Sequence, residues 1–141
     1  MRIALDKVVM DTNVFVSAVF FSGPPFQILN TWQSGKFELA VSQEILDEYR
    51  RVGEVLAEEY SNIGLKPMLN FVIDHAKVYK PAKLNGPVCE DPDDDKFFAC
   101  ALASESKIII SGDKHLLKVS GYAGIEVLKP REFVDRYLTE G

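Results

Sequence analysis

Lys107–Asp113, KIIISGD, reads as a strand buried on both faces that stops at an aspartate. Three β-branched residues in a row leave no polar face, the pattern of a central strand in a parallel sheet rather than of a half-solvated one. Lys7–Asn13, KVVMDTN, repeats the design: Val8, Val9 and Met10 run into Asp11, Thr12 and Asn13. Parallel strands need long crossover connections, usually helices, so the residues between such runs are expected to be helical. In open parallel sheets ligands bind beyond the carboxyl ends of the strands. Two aspartates, Asp11 and Asp113, at two such ends are therefore the first functional pointer.

The intervening residues meet that expectation. Val14–Phe21 reads as a helix broken by Gly23, Pro24 and Pro25, after which Phe26, Ile28, Leu29 and Trp32 keep helical spacing as far as Gly35. Phe37–Val41 is a second strand, and Ser42 stands at the N-cap of an amphipathic helix carrying Ile45, Tyr49, Val52 and Leu56. Leu65–Val78 is helical, Lys77–Lys80 begins a third strand, and Lys80–Pro87 is a loop. Asp93–Ser106 forms a helix with Phe97, Phe98, Ala101 and Leu102 inward. Leu116–Val119 suggests a short helix, Ile125–Leu128 a last strand, and Pro130 opens a closing helix. The result is a three-layer α/β/α sandwich around a central parallel sheet of about five strands.

A chain of 141 residues, 47% hydrophobic and 26% charged, is expected to fold as one domain spanning 1–141 and to need no disulfide. Cys89 and Cys100 make no disulfide framework and read as inert small hydrophobes. With no cationic, apolar leader, the expected location is the cytoplasm. No apolar stretch approaches the roughly twenty residues of a membrane span, which excludes a membrane protein. The net charge of −5 argues against a polyanionic partner until its distribution is read. Glu90, Asp91, Asp93, Asp94 and Asp95 hold all of the excess, and without them the chain is neutral.

Two further acids lie on the inner sides of their helices. Glu48 shares a stripe with Ile45 and Val52, and Asp94 precedes Phe97, Phe98 and Ala101 at helical spacing. If Asp11, Glu48, Asp94 and Asp113 converge, their charges require strongly raised pKa values or bound cations. Only oxygen donors are concentrated there, and His75 and His115 lack the spacing of a zinc site, so the expected ions are Mg²⁺ or Mn²⁺. Carboxylate-held divalent ions at strand ends act on phosphoesters, and hydrolysis of a phosphodiester is the chemistry indicated.

Five motifs, VVMDTNVFVSA (8–18), SQEILDEYRRV (42–52), DPDDDKFFACALA (91–103), IIISGDKHLL (108–117) and IEVLKPREFV (125–134), together resemble the PIN-domain nucleases over nearly the whole chain. The branch most similar comprises toxins of toxin–antitoxin systems. The resemblance implies a sheet in the order 3-2-1-4-5 and metal-dependent ribonuclease activity on RNA, with one or two ions. It also implies a cognate antitoxin and a homodimer as partners. Carried over by position, it makes Asp11, Glu48, Asp94 and Asp113 the catalytic and metal-binding acids, with Asp95 competing with Asp94 for the third place. Asn13 and Ser111 match polar positions around the metal. Attack by an external water would leave a 5′-phosphate and a 3′-hydroxyl.

Basic residues near these motifs, Arg50, Arg51, Lys96 and Lys114, read as ordinary surface cations, with Arg51 in reach of Asp47. Two other readings compete. A haloacid-dehalogenase-like phosphatase also places an aspartate after its first strand, but Asn13 stands where its second aspartate belongs. A non-catalytic binding module on the same fold would have no use for four converging carboxylates.

Overall fold

Ile108–Ile110 forms the strand that the isoleucine run predicts, with all three side chains buried. It belongs to a five-stranded sheet in a computed structural model that describes residues 7–60 and 64–138. The strands are β1 (Lys7–Met10), β2 (Glu38–Val41), β3 (Lys77–Val78), β4 (Ile108–Ile110) and β5 (Glu126–Leu128). All neighbours run parallel in the order β3-β2-β1-β4-β5, the expected topology. The central pair is in register from Val9 opposite Ile109 to Met10 opposite Ile110, which brings the two following polar segments side by side.

Among the described residues seven α-helices connect and flank the strands: α1 (Thr12–Phe20), α2 (Pro24–Gln33), α3 (Gln43–Glu59), α4 (Leu65–His75), α5 (Asp95–Ser104), α6 (Lys114–Leu117) and α7 (Pro130–Phe133). One hydrophobic core joins them. Val8, Val9, Leu39, Val41, Ile109 and Phe98 are among its fully buried members. Each such side chain contributes about 1.5–3 kcal/mol relative to leaving it in water. The bounds expected for the domain, residues 1 and 141, lie outside the described residues.

Three expectations need correction. The helix foreseen over Asp93–Ser106 begins as a 3-10 turn, Pro92–Asp94, and becomes α-helical only at Asp95. The cause is local: the Asp91 side chain accepts from the Asp93 N–H at 3.0 Å and its carbonyl from the Asp94 N–H at 3.0 Å, which closes a tighter turn first. The helix foreseen over Leu65–Val78 stops at His75, because Lys77 and Val78 pair with Ala40 and Val41. At the C-terminus α7 is a single turn that passes into a π-helical turn over Val134–Leu138. Among the described residues no helix is long and apolar enough to cross a membrane.

Candidate functional site

The site begins where β1 and β4 stop. Sheet bonding continues one residue past each strand: the Asp11 N–H donates to the Ile110 carbonyl at 3.0 Å, and the Ser111 N–H to the Leu128 carbonyl at 2.9 Å. Asp11 and Ser111 are thus fixed by backbone before their side chains do anything. Both are buried. The Ser111 hydroxyl donates to Asp11 Oδ2 and accepts from the Asp113 N–H at 2.9 Å, so one hydroxyl links the two strand-end acids.

Each of these acids also caps a helix. Asp11 Oδ1 accepts from the Val14 N–H at 2.8 Å at the start of α1, and Asp113 Oδ1 from the His115 N–H at 2.7 Å at the start of α6. A cap leaves most of a carboxylate's four or so lone-pair positions for other partners, so capping and ligand binding are compatible here. Asp94, at the end of the 3-10 turn, completes the group. Asp11, Asp94, Asp113 and Glu48 line one cavity of about 130 Å³ with Thr12, Asn13, Val52 and Phe97.

The acid run leaves Asp94 and Asp95 as rivals in sequence, and the structure separates them. Asp95 faces the preceding loop, accepting from the N–H groups of Val88 at 3.2 Å and Cys89 at 2.7 Å. Only Asp94 of the two lines the cavity. Asn13 is exposed at its rim.

Electrostatics set Asp11 and Asp94 apart from ordinary carboxylates. Burial pushes Asp11 up to about 6; hydrogen bonds from Ser111 and Val14 oppose this, and the charges of Asp113 and Asp94 add to it. Asp94 also rises to about 6, from burial first and then from the charges of Asp113, Asp91 and Asp93, partly offset by Lys96. Like charges in a partly dry cavity favour the protonated form.

The Glu48 side is built differently. Tyr49 is fully buried, stacks on Phe15 with ring centroids 4.2 Å apart, and donates its hydroxyl to the Met10 carbonyl at 2.5 Å. Burial holds the phenol well above its usual range, so it remains a donor, and α3 is pinned to the end of β1. Glu48, the residue before it, is thereby aimed at the cavity, where Oε1 accepts from the Thr12 hydroxyl. Oε2 meets Lys96 Nζ at 3.1 Å and Arg51 Nη2 at 3.3 Å. Arg51 thus pairs with Glu48 rather than with Asp47, which lies beside Arg50 at 3.6 Å and accepts from Gln43 at 3.0 Å.

Lys96 and Thr12 are the members of the site that the sequence reading did not assign. Both are buried. A lysine following three aspartates carries every mark of a surface residue; the remaining signal is its place directly before the inward Phe97 and Phe98. Cys89 and Cys100 are buried thiols, each pushed up to about 12 by burial, with Asp95 adding to the shift at Cys89.

Among the described residues, no three carboxylate, histidine or cysteine side chains are already gathered closely enough to ligate one ion. The acids face a common cavity without closing on a point inside it. A larger cavity, about 670 Å³, opens at the other end of the sheet beside Lys7, Trp32, Lys36, Phe71 and Lys77. Glu38 is the one acid that lines it, so it does not gather carboxylates as the strand-end cavity does.

Comparison with known proteins bears on what such a strand-end cluster is. Residues 7–115 match the PIN domain family, a stretch that runs from β1 into α6 and includes every acid of the cavity. The chain belongs to the PIN domain family. PIN domains are generally nucleases that act on RNA or DNA, and this supports a nucleic-acid hydrolase. A relative, the uncharacterized protein MJ1680 of Methanocaldococcus jannaschii, is 32% identical over 142 aligned positions covering 93% of this chain and 91% of its own.

Proposed function

We propose that the chain is a single-domain, Mg²⁺- or Mn²⁺-dependent endoribonuclease of the cytoplasm and the toxin of a toxin–antitoxin pair. The observation that carries the reading is the meeting of Asp11, Asp94 and Asp113 at one cavity, with Asp11 and Asp94 both pushed up to about 6. Uncompensated carboxylates destabilise a fold unless something cationic offsets them. The donors fit a hard divalent ion in kind: they are oxygens, they are anionic, and the cavity has room for an ion with some of its water.

Asp11, Asp94 and Asp113 would hold one or two ions, with Asn13 and Glu48 at the margin. A divalent ion held there would supply Lewis acidity toward a water and a phosphate oxygen. The chain contributes the positioning. Ser111 fixes Asp11 and the Asp113 backbone relative to one another, and its own backbone bond to Leu128 at the end of β5 fixes Ser111. Rigid strand ends suit this task better than loops. Exposed apolar side chains at Phe21, Phe26 and Val55 offer surface to an antitoxin or to a second copy.

Incubating the purified protein with end-labelled single-stranded and structured RNA, in Mg²⁺, Mn²⁺ or EDTA, tests the reading. Cutting in either metal and none in EDTA is expected, with 5′-phosphate ends on the products. No cutting in any metal, together with no Mn²⁺ binding, would favour a non-catalytic binding module.

A further inference from the structure

Lys96 is a buried cation beside the cavity, in contact with Glu48, one of the four acids that line it. Its side chain is 5% exposed, and lysine is rarely so buried without a partner. An ammonium group has three donors, and here three acceptors meet it: Glu48 Oε2 at 3.1 Å, Asp93 Oδ1 at 3.0 Å and the Asp93 carbonyl at 2.9 Å. The nitrogen also lies 5.5 Å from the centre of the Phe97 ring. Two carboxylate oxygens and a carbonyl around one nitrogen are the surroundings of an ammonium donor, which needs acceptors and offers none of its own.

Two consequences follow from this geometry. The charge of Glu48 is already matched from within the protein, with Thr12 on its other oxygen. The Pro92–Asp94 turn is tied to α3, because Lys96 binds both the side chain and the carbonyl of Asp93, one residue before Asp94. The Glu48 side of the cavity therefore carries a tethered cation, while among the described residues Asp11 is met only by neutral donors, Ser111 and the Val14 N–H.

We propose that Lys96 is the built-in cation of this site: it takes up Glu48 and leaves Asp11, Asp94 and Asp113 to hold a single divalent ion. The proposal rests on the metal-dependent reading above and narrows it from one or two ions to one. A second ion beside Glu48 would have to displace the ammonium or stand against its charge. Two-ion sites need carboxylates free to flank both ions, and Glu48 is committed elsewhere.

Mn²⁺ titration followed by the electron paramagnetic resonance of the free ion counts the sites directly. Wild type, Asp11→Asn, Lys96→Met and Lys96→Met/Glu48→Gln are compared, with thermal unfolding of each. Wild type is expected to take up one Mn²⁺ per chain, and Asp11→Asn to lose it. Lys96→Met is expected to gain a second Mn²⁺ at least tenfold weaker, and the double variant to return to one. Two Mn²⁺ in wild type, both lost in Asp11→Asn, would overturn the proposal while leaving the metal-dependent reading intact. A folded Lys96→Met that still takes one ion with unchanged affinity would overturn it as well. No Mn²⁺ in wild type would remove the underlying reading and the proposal together. If Lys96→Met does not fold, the wild-type count and the double variant, which lacks the exposed charge on Glu48, still decide.

Discussion

The two sides of the cavity solve the same electrostatic problem in opposite ways. On the β1–β4 side Asp11 and Asp113 are joined by neutral donors, Ser111 and backbone N–H groups, and Asp11 stays high at about 6. On the α3–α5 side Glu48 is met by Lys96 and Arg51. One side is left with a charge that an incoming cation relieves; the other is neutralised within the fold. Removing a charge should therefore stabilise the first side and destabilise the second, and the chemistry should rest on Asp11 and Asp113, with Asp94 facing them, rather than on Glu48.

The largest expected effect is on activity. Losing one carboxylate of the strand-end group forfeits several kcal/mol of charge stabilisation, so Asp11→Asn should slow RNA cleavage by roughly a thousandfold or more. Single-turnover rates at saturating Mn²⁺ measure this. A fall of less than tenfold would mean that the chemistry does not run through the β1–β4 side.

Next comes the stability of the helical side. Lys96→Met takes from Glu48 its buried partner and leaves it the exposed Arg51, so the loss lies at the low end for a broken buried pair, about 3 kcal/mol. Chemical denaturation should record a loss of that size. Adding Glu48→Gln should recover much of it, since the unmatched charge is then gone as well.

On the strand side the sign reverses. Asp11 holds its proton more tightly folded than unfolded, so in the metal-free protein its contribution is most favourable below about pH 4 and is lost as pH rises through about 6. Two pKa units correspond to roughly 3 kcal/mol at neutral pH. Metal-free Asp11→Asn should accordingly melt higher than wild type at pH 7, with the difference shrinking towards pH 4. Equal melting curves at pH 7 would remove the contrast between the two sides.

A smaller effect belongs to Ser111, which touches both strand-end acids without carrying charge. Ser111→Ala should weaken Mn²⁺ binding by roughly 10- to 100-fold, the usual cost of losing a group that orients ligands. Calorimetric titration would detect it.

Sequence reading reached the strand side almost completely and the helical side only in part. Uninterrupted runs such as Ile108–Ile110 permit one structural interpretation, and residues at strand ends are fixed by the sheet itself. Asp11, Ser111 and Asp113 therefore sit where their strands deliver them. Asp94 depends on a turn. A one-residue shift between 3-10 and α-helical geometry decides whether it or Asp95 faces inward, and that shift comes from the Asp91 cap. Lys96 was illegible for a different reason: an isolated lysine belongs on the surface by composition, and only the convergence of α3 with the Pro92–Asp94 turn gives it buried acceptors. Pairing across 48 and 96 is a tertiary fact with no local signature.

The most direct measurement exchanges the two neighbouring acids. Asp94→Asn and Asp95→Asn are compared with wild type for cleavage of end-labelled RNA in Mn²⁺. Asp94 lines the cavity, whereas Asp95 lies outside it and accepts the Cys89 and Val88 N–H groups on separate oxygens, of which asparagine keeps one for the shorter bond to Cys89. The expected result is cleavage lost in Asp94→Asn and largely kept in Asp95→Asn. Cleavage kept in Asp94→Asn and lost in Asp95→Asn would contradict the assignment of the strand-end cavity as the place where RNA is cut.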